Sequence, residues 1–191
     1  MTTIVVVRKG SSAVIAADSL TTFGTTRLAP AYDRHPHKVV AYRDSFIGVA
    51  GSAAHQLVLE NLLERNPNLD FAGRPAIYEA FRKLHPILKD EAFLNPKEED
   101  DDPYESSQMT VMIANPSGIF AVYSMREVFE FDRFWAIGSG RAFALGAMYT
   151  AFDRAKSARE VAEIGIKAGC EFDKNSDGPV KVQTIKLKEK D

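Results

Sequence analysis

The chain holds one cysteine, Cys170, among its 191 residues, so no disulfide can form within it. With no cysteine–histidine cluster at zinc-ligand spacing either, a reducing compartment is indicated. Cys170 reads as a small buried apolar side chain. Excess charge of one sign is also missing: 24 Lys and Arg face 26 Asp and Glu, the net charge is -2, and the basic residues are spread along the chain. That leaves no basic stripe for nucleic acid or an anionic membrane. Long apolar runs are absent, which excludes a membrane-spanning segment from the reading. The start does not read as a signal peptide, because Arg8, Lys9 and Asp18 interrupt its apolar residues. The expectation is a cytoplasmic protein whose Met1 is removed before the small residue Thr2, leaving Thr2 as the first residue of the mature chain.

What is present fits one domain spanning residues 1–191, with 45% hydrophobic and 26% charged residues. Thr3 to Arg8 and Ala13 to Asp18 read as two strands joined by Lys9 to Ser12. Lys38 to Tyr42 and Ser45 to Ala50 read as two more, turning at Arg43 and Asp44. After Gly51 the apolar period becomes helical, over AAHQLVLENLLERN and then RPAIYEAFRKLHPILKDEAFL, where Pro75 sits near the start and Pro86 is expected to bend the helix. NPKEEDDDPYESSQ breaks both patterns and reads as a solvated acidic loop, with the run Glu98 to Asp102 at its centre. Strands resume at Met109 to Ala114, Ile119 to Tyr123, Glu127 to Phe131 and Phe134 to Ile137. A helix is expected from Gly138 to about Arg154, another over Ala158 to Phe172, and a last strand over Val180 to Leu187. This order is not βαβ alternation. It predicts an α+β fold, a four-layer αββα sandwich of antiparallel sheets flanked by helix pairs.

TTIVVVRKG, VIAADS, KVVAYRDSFIGVAGSA, AIGSGRAFALGA and EFDKNSDGP stand in the order and approximate spacing of proteasome β subunits and the peptidase HslV. The chain therefore resembles the N-terminal nucleophile hydrolases, and most of all the bacterial proteasome homologue group, BPH. The resemblance covers nearly the whole chain. It implies a threonine endopeptidase that encloses its sites in two stacked rings of itself, fourteen subunits or alternatively twelve.

On its own the Met-Thr start reads as an ordinary processed terminus, and the resemblance makes Thr2 the nucleophile. A threonine hydroxyl needs a base, and a first residue carries one in its own α-amine, whose reference pKa is about 7.7–8.0. Lys38 near that hydroxyl would favour the alkoxide-like transition state and keep the amine neutral, with Asp18 holding the lysine. Read without the resemblance, these are a solvated strand-end Lys and a turn Asp. Arg34 is the rival cation, since the Asp18–Lys38 stretch is longer than in the peptidase relatives. His35 and His37 have the spacing of two metal ligands but no evident third, so a loop pair is the reading kept. Gly51 is the oxyanion donor by resemblance and a turn glycine otherwise. Ser139 matches the serine that bonds the nucleophile's amine, and locally it reads as a helix N-cap. Gly138 and Gly140 before a helix suggest a phosphate loop, but the βαβ setting is missing. Asp173 and Ser176 match the family's Asp-x-x-Ser pair, which orients the amine; locally Asp173 reads as a helix-end surface residue and Asn175 to Gly178 as a turn.

By resemblance, too, Thr21, Val40, Val49 and Ala53 line the first specificity pocket. Being small or apolar, they predict an uncharged residue before the cut. The carbonyls of Gly169, Phe172 and Asn175 match a family cation site, so no cofactor is required but Na, K, Mg or Ca is implied there. The expected partner is a peptide or unfolded protein substrate. No Walker-type motif is present, so any ATP-driven unfolding falls to a separate protein. Two alternatives remain at this point: a small-molecule amidase or acylase of the same fold, and a non-catalytic ring or binding protein.

Overall fold

A strand with one wet face alternates apolar and polar residues, yet Ile4, Val5, Val6 and Val7 run without a break, as do Ala13 to Ala17. Such strands need cover on both faces. They receive it in the computed structural model, which describes residues 2–97 and 99–189. Glu98 of the acidic run, and Met1, lie outside the described residues.

The elements are β1 (Thr3–Lys9), β2 (Ser12–Ala17), β3 (Thr21–Phe23), β4 (Thr26–Leu28), β5 (Val39–Tyr42) and β6 (Ser45–Ala50), followed by helices α1 (Ala53–Arg65) and α2 (Arg74–Asp90). Then come β7 (Thr110–Asn115), β8 (Gly118–Val122), β9 (Val128–Phe131), β10 (Phe134–Gly138), helices α3 (Arg141–Ala151) and α4 (Ala158–Phe172), and β11 (Lys181–Lys186). One antiparallel sheet has the order β10-β1-β2-β11 and the other β5-β6-β7-β8-β9. Ile4, Val6, Ile15 and Ala17 point between the sheets, against Val39, Met112 and Ile119. Val5, Val7, Val14 and Ala16 point the other way, onto Met148 of α3 and Val161 and Ile166 of α4. Helices α1 and α2 cover the far face of the second sheet through Leu59, Leu62, Ile77, Phe81 and Leu84. The result is the expected αββα sandwich, and each fully buried Val, Leu or Ile contributes roughly 1.5–3 kcal/mol to it. Among the described residues no helix is long and apolar enough to cross a membrane.

Local differences from the sequence reading have local causes. Lys9 pairs with Ser12, so the first hairpin turns on two residues, Gly10 and Ser11, rather than four. The β3–β4 hairpin and a 3-10 turn at Pro30–Tyr32 fill the stretch between Asp18 and Lys38, which the sequence reading left without structure. Lys38 sits just before β5 rather than opening it. α2 runs through Pro86 but stops at Asp90, and Phe93 then takes a φ of 55°, which no helix accommodates. Gly138 ends β10, and the helix expected there begins only at Arg141.

Candidate active site

Thr2 stands one residue ahead of β1, and both it and Thr3 are buried. Successive side chains along a strand face opposite ways, and the two threonines separate accordingly. The Thr3 hydroxyl is hydrogen-bonded to the Ser176 hydroxyl at 2.7 Å. Thr2 instead lines a cavity of about 290 Å³, together with Lys38 and Gly51.

Main-chain contacts fix the position of Thr2. Its carbonyl accepts the Ser139 N–H at 2.8 Å, one step beyond the ladder that pairs Thr3 with Gly138. Gly138 has a φ of 91°, and a Cβ there would overlap the Thr2 carbonyl, so the approach requires glycine. On the other side, the Thr3 N–H donates to Asp18 Oδ1 at 3.0 Å and the Asp18 N–H donates to the Thr3 carbonyl at 3.2 Å.

Lys38 reaches into the same place from the residue before β5. Its Nζ lies 2.9 Å from both Asp18 oxygens and donates to the Leu20 carbonyl at 2.6 Å. The Asp18 side chain is fully enclosed. Burial pushes the Asp18 carboxyl up, opposed by Lys38 and by the N–H groups of Thr3 and Leu20. Burial likewise pushes the Lys38 ammonium down, opposed by Asp18. Arg34, the rival cation, is exposed on the surface, as are His35 and His37.

The third group converges from two other elements. Asp173 caps α4, and its Oδ2 accepts from the Ser139 hydroxyl at 2.6 Å and from the Ser176 hydroxyl at 2.7 Å. Ser139 is therefore not the N-cap of α3, a place held by Gly140; its hydroxyl is spent on Asp173 and lies 3.5 Å from the Thr2 carbonyl. Burial alone would raise the Asp173 carboxyl, but the bonds from Ser139, Ser176 and Asn175 outweigh it and hold the group below the usual carboxylate range. A depressed carboxylate contributes stability that is present above its unfolded pKa and lost as pH falls through the folded one. Asp173→Asn should therefore lower stability in urea titrations at pH 7, and the gap from the wild type should close as pH drops below the ordinary carboxylate range.

No protein-family model matches the chain, and no curated protein does. Solved structures do. The BPH of Thiobacillus denitrificans in complex with epoxomicin is 35% identical, with a TM-score of 0.91 over 98% of this chain and 100% of that one. A second structure of BPH from the same organism is 37% identical at the same TM-score and coverage. The chain belongs to the BPH group of the proteasome β-subunit/HslV family. Eukaryotic HslV from Trypanosoma brucei, at 20% identity and a TM-score of 0.74 over 96% of this chain and 99% of that one, shares the fold.

In this BPH chain the residues expected around a specificity pocket divide. Thr21, Val49 and Ala53 line the cavity with Thr2. Val40 borders a separate cavity with Tyr42, Glu60 and Leu63, because it faces the α1 side of β5. Thr22, Phe23, Ser52 and Gln56 line the Thr2 cavity without having been singled out. Gln56 was legible in principle, three residues after Ala53 on the same helical face. Phe23 was not, since its place depends on the short β3–β4 hairpin.

Gly169, Phe172 and Asn175 follow one another around the C-terminal end of α4. The Gly169 carbonyl already accepts the Asp173 N–H at 3.0 Å, which leaves one lone pair. Neutral carbonyls at the negative end of a helix suit a hard cation. Among the described residues no group of three acidic, His or Cys side chains offers another metal site. Burial pushes the Cys170 thiol up to about 12, so it stays protonated and unreactive at ordinary pH.

Proposed function

We propose that this chain is a self-compartmentalising threonine endopeptidase with Thr2 as its nucleophile. The observation that carries the reading is the parting of the two threonines: Thr2 shares a cavity with Lys38 and Gly51, while the Thr3 hydroxyl is committed to Ser176. Removal of Met1 frees the Thr2 amine. That amine, directly or through a water, takes the proton as Thr2 Oγ attacks the peptide carbonyl, and the Gly51 N–H steadies the oxyanion. The leaving amine takes the proton back, and water then hydrolyses the ester. Lys38 keeps positive charge beside the reacting oxygen and favours the neutral amine. Ser139, Asp173 and Ser176 hold the Thr2 main chain and amine in place. The carbonyls of Gly169, Phe172 and Asn175 would hold a Na, K, Mg or Ca ion, whose charge would stiffen the turn carrying Asp173 and Ser176.

Assembly into two stacked rings, seven subunits each in this reading and six in the alternative, would keep such a site from folded proteins. Large exposed apolar side chains support burial against further copies: Tyr32 is 85% exposed, Phe93 87% and Tyr149 74%. Of the acidic run, Glu99 to Asp101 are exposed, with Asp100 paired to Lys97, and at a ring entrance they would repel acidic peptides. The test is intact mass measured alongside cleavage of fluorogenic peptides and ring images. Chains lacking Met1 should cleave, with uncharged residues preferred before the cut, and chains retaining it should not. Cleavage by the Met1-bearing form would overturn the assignment.

A further inference from the structure

Gln56 is a cavity residue whose chemistry the mechanism does not use. Its Nε2 donates to the His37 carbonyl at 2.7 Å and to Glu60 Oε1 at 2.9 Å. Both partners can only accept, so the orientation of the amide is decided: nitrogen toward His37 and Glu60, oxygen away from them. Among the described residues no donor reaches that oxygen. Gln56, which lines the cavity, therefore carries an amide acceptor that no donor among the described residues occupies.

The rest of the lining is mixed, with the hydroxyls of Thr21 and Thr22 and the ring of Phe23 on one side. Val49 and Ala53 supply an apolar flank, and the Ser52 hydroxyl, which accepts the Ala54 N–H at 3.3 Å, keeps its own hydrogen to donate. The charged side chain on the wall is Lys38, already matched by Asp18. Glu60 lines the neighbouring cavity and not this one. An aliphatic stem ending in one neutral donor and one acceptor matches this set.

We propose that Gln56 makes the cavity selective for a neutral carboxamide side chain, glutamine or asparagine, on the residue before the cut; this rests on the threonine-peptidase reading. A carboxylate brings only acceptors to an acceptor. An ammonium loses its hydration for a single neutral partner and meets Lys38. Methionine has the shape of glutamine but leaves the Gln56 oxygen without a donor, a deficit that sites built around a hydrogen bond discriminate against.

The test uses the mature wild-type protein and three fluorogenic peptides differing only before the cut: Gln, Met and Glu. The Gln peptide should show kcat/KM about tenfold or more above the other two. In Gln56→Met, the ratio of Gln to Met cleavage should fall to within about twofold. A wild type that cleaves Met or Glu as well as Gln overturns the proposal without recourse to the variant, and so does a variant that keeps the ratio. Epoxomicin labelling separates the two levels. Labelling at Thr2 with a flat ratio sinks the pocket assignment alone. Neither labelling nor cleavage of any peptide sinks the threonine reading, and the pocket assignment with it.

Discussion

Thr2→Ala should bring peptide cleavage down by roughly 10⁴-fold or more, the scale on which loss of a covalent nucleophile acts. The loss should appear in kcat, because the cavity wall, Lys38 and Gly51 all stay in place. Assembly and thermal stability should be unchanged. Thr2 is held by its carbonyl, through the Ser139 N–H, and not by its side chain, so alanine can occupy the same seat. The measurement is fluorogenic peptide hydrolysis beside a melting curve. Cleavage at the wild-type rate with an intact melt would remove Thr2 from the mechanism, and the neighbouring Thr3 could not replace it from its bond to Ser176.

Lys38→Ala should do damage of both kinds. It deletes the cation that shares a cavity with Thr2, and it strands Asp18, whose side chain has no exposure to water. Breaking a buried pair from one side typically costs about 3–5 kcal/mol, because the remaining charge is left unmatched. Loss of an electrostatic stabiliser at the reacting oxygen typically costs about 10²–10³ in kcat. Lys38→Met with Asp18→Asn should recover part of the stability and none of the activity, a split that denaturant titration and peptide hydrolysis resolve together. If the double variant regained activity, the lysine would be a structural residue only.

The fold was legible because its signals are long and repeated. β1 and β2 are unbroken apolar runs, and α2 keeps Ile77, Phe81, Leu84 and Leu88 on one face. What escaped were elements of three residues. The β3–β4 hairpin pairs Thr21 with Leu28 and Phe23 with Thr26, and neither strand is long enough to show a period. That hairpin is also what brings Thr22 and Phe23 to the cavity beside Thr21, so these two lining residues escaped for the same reason.

The site was legible in a different way. Local patterns left Asp18, Lys38, Ser139 and Asp173 as ordinary turn, strand-end and cap residues, and only the order of several short motifs set them apart. The structure shows why no local pattern could have done so. Asp18 and Lys38 meet across 20 residues, Ser139 and Asp173 across 34, and Thr3 and Ser176 across 173. Val40 shows the reverse case, a residue of suitable size near Lys38 in sequence whose strand turns it toward α1 instead.

The apolar faces of β1 are nearly alike, valine following valine, so greasy packing by itself gives the strand little reason to prefer one rung over the next. Gly138 supplies the missing preference, because any side chain there would strike the Thr2 carbonyl. It works as a peg from which the rungs are numbered, and the residue that falls at zero is the one left lining the cavity with Lys38.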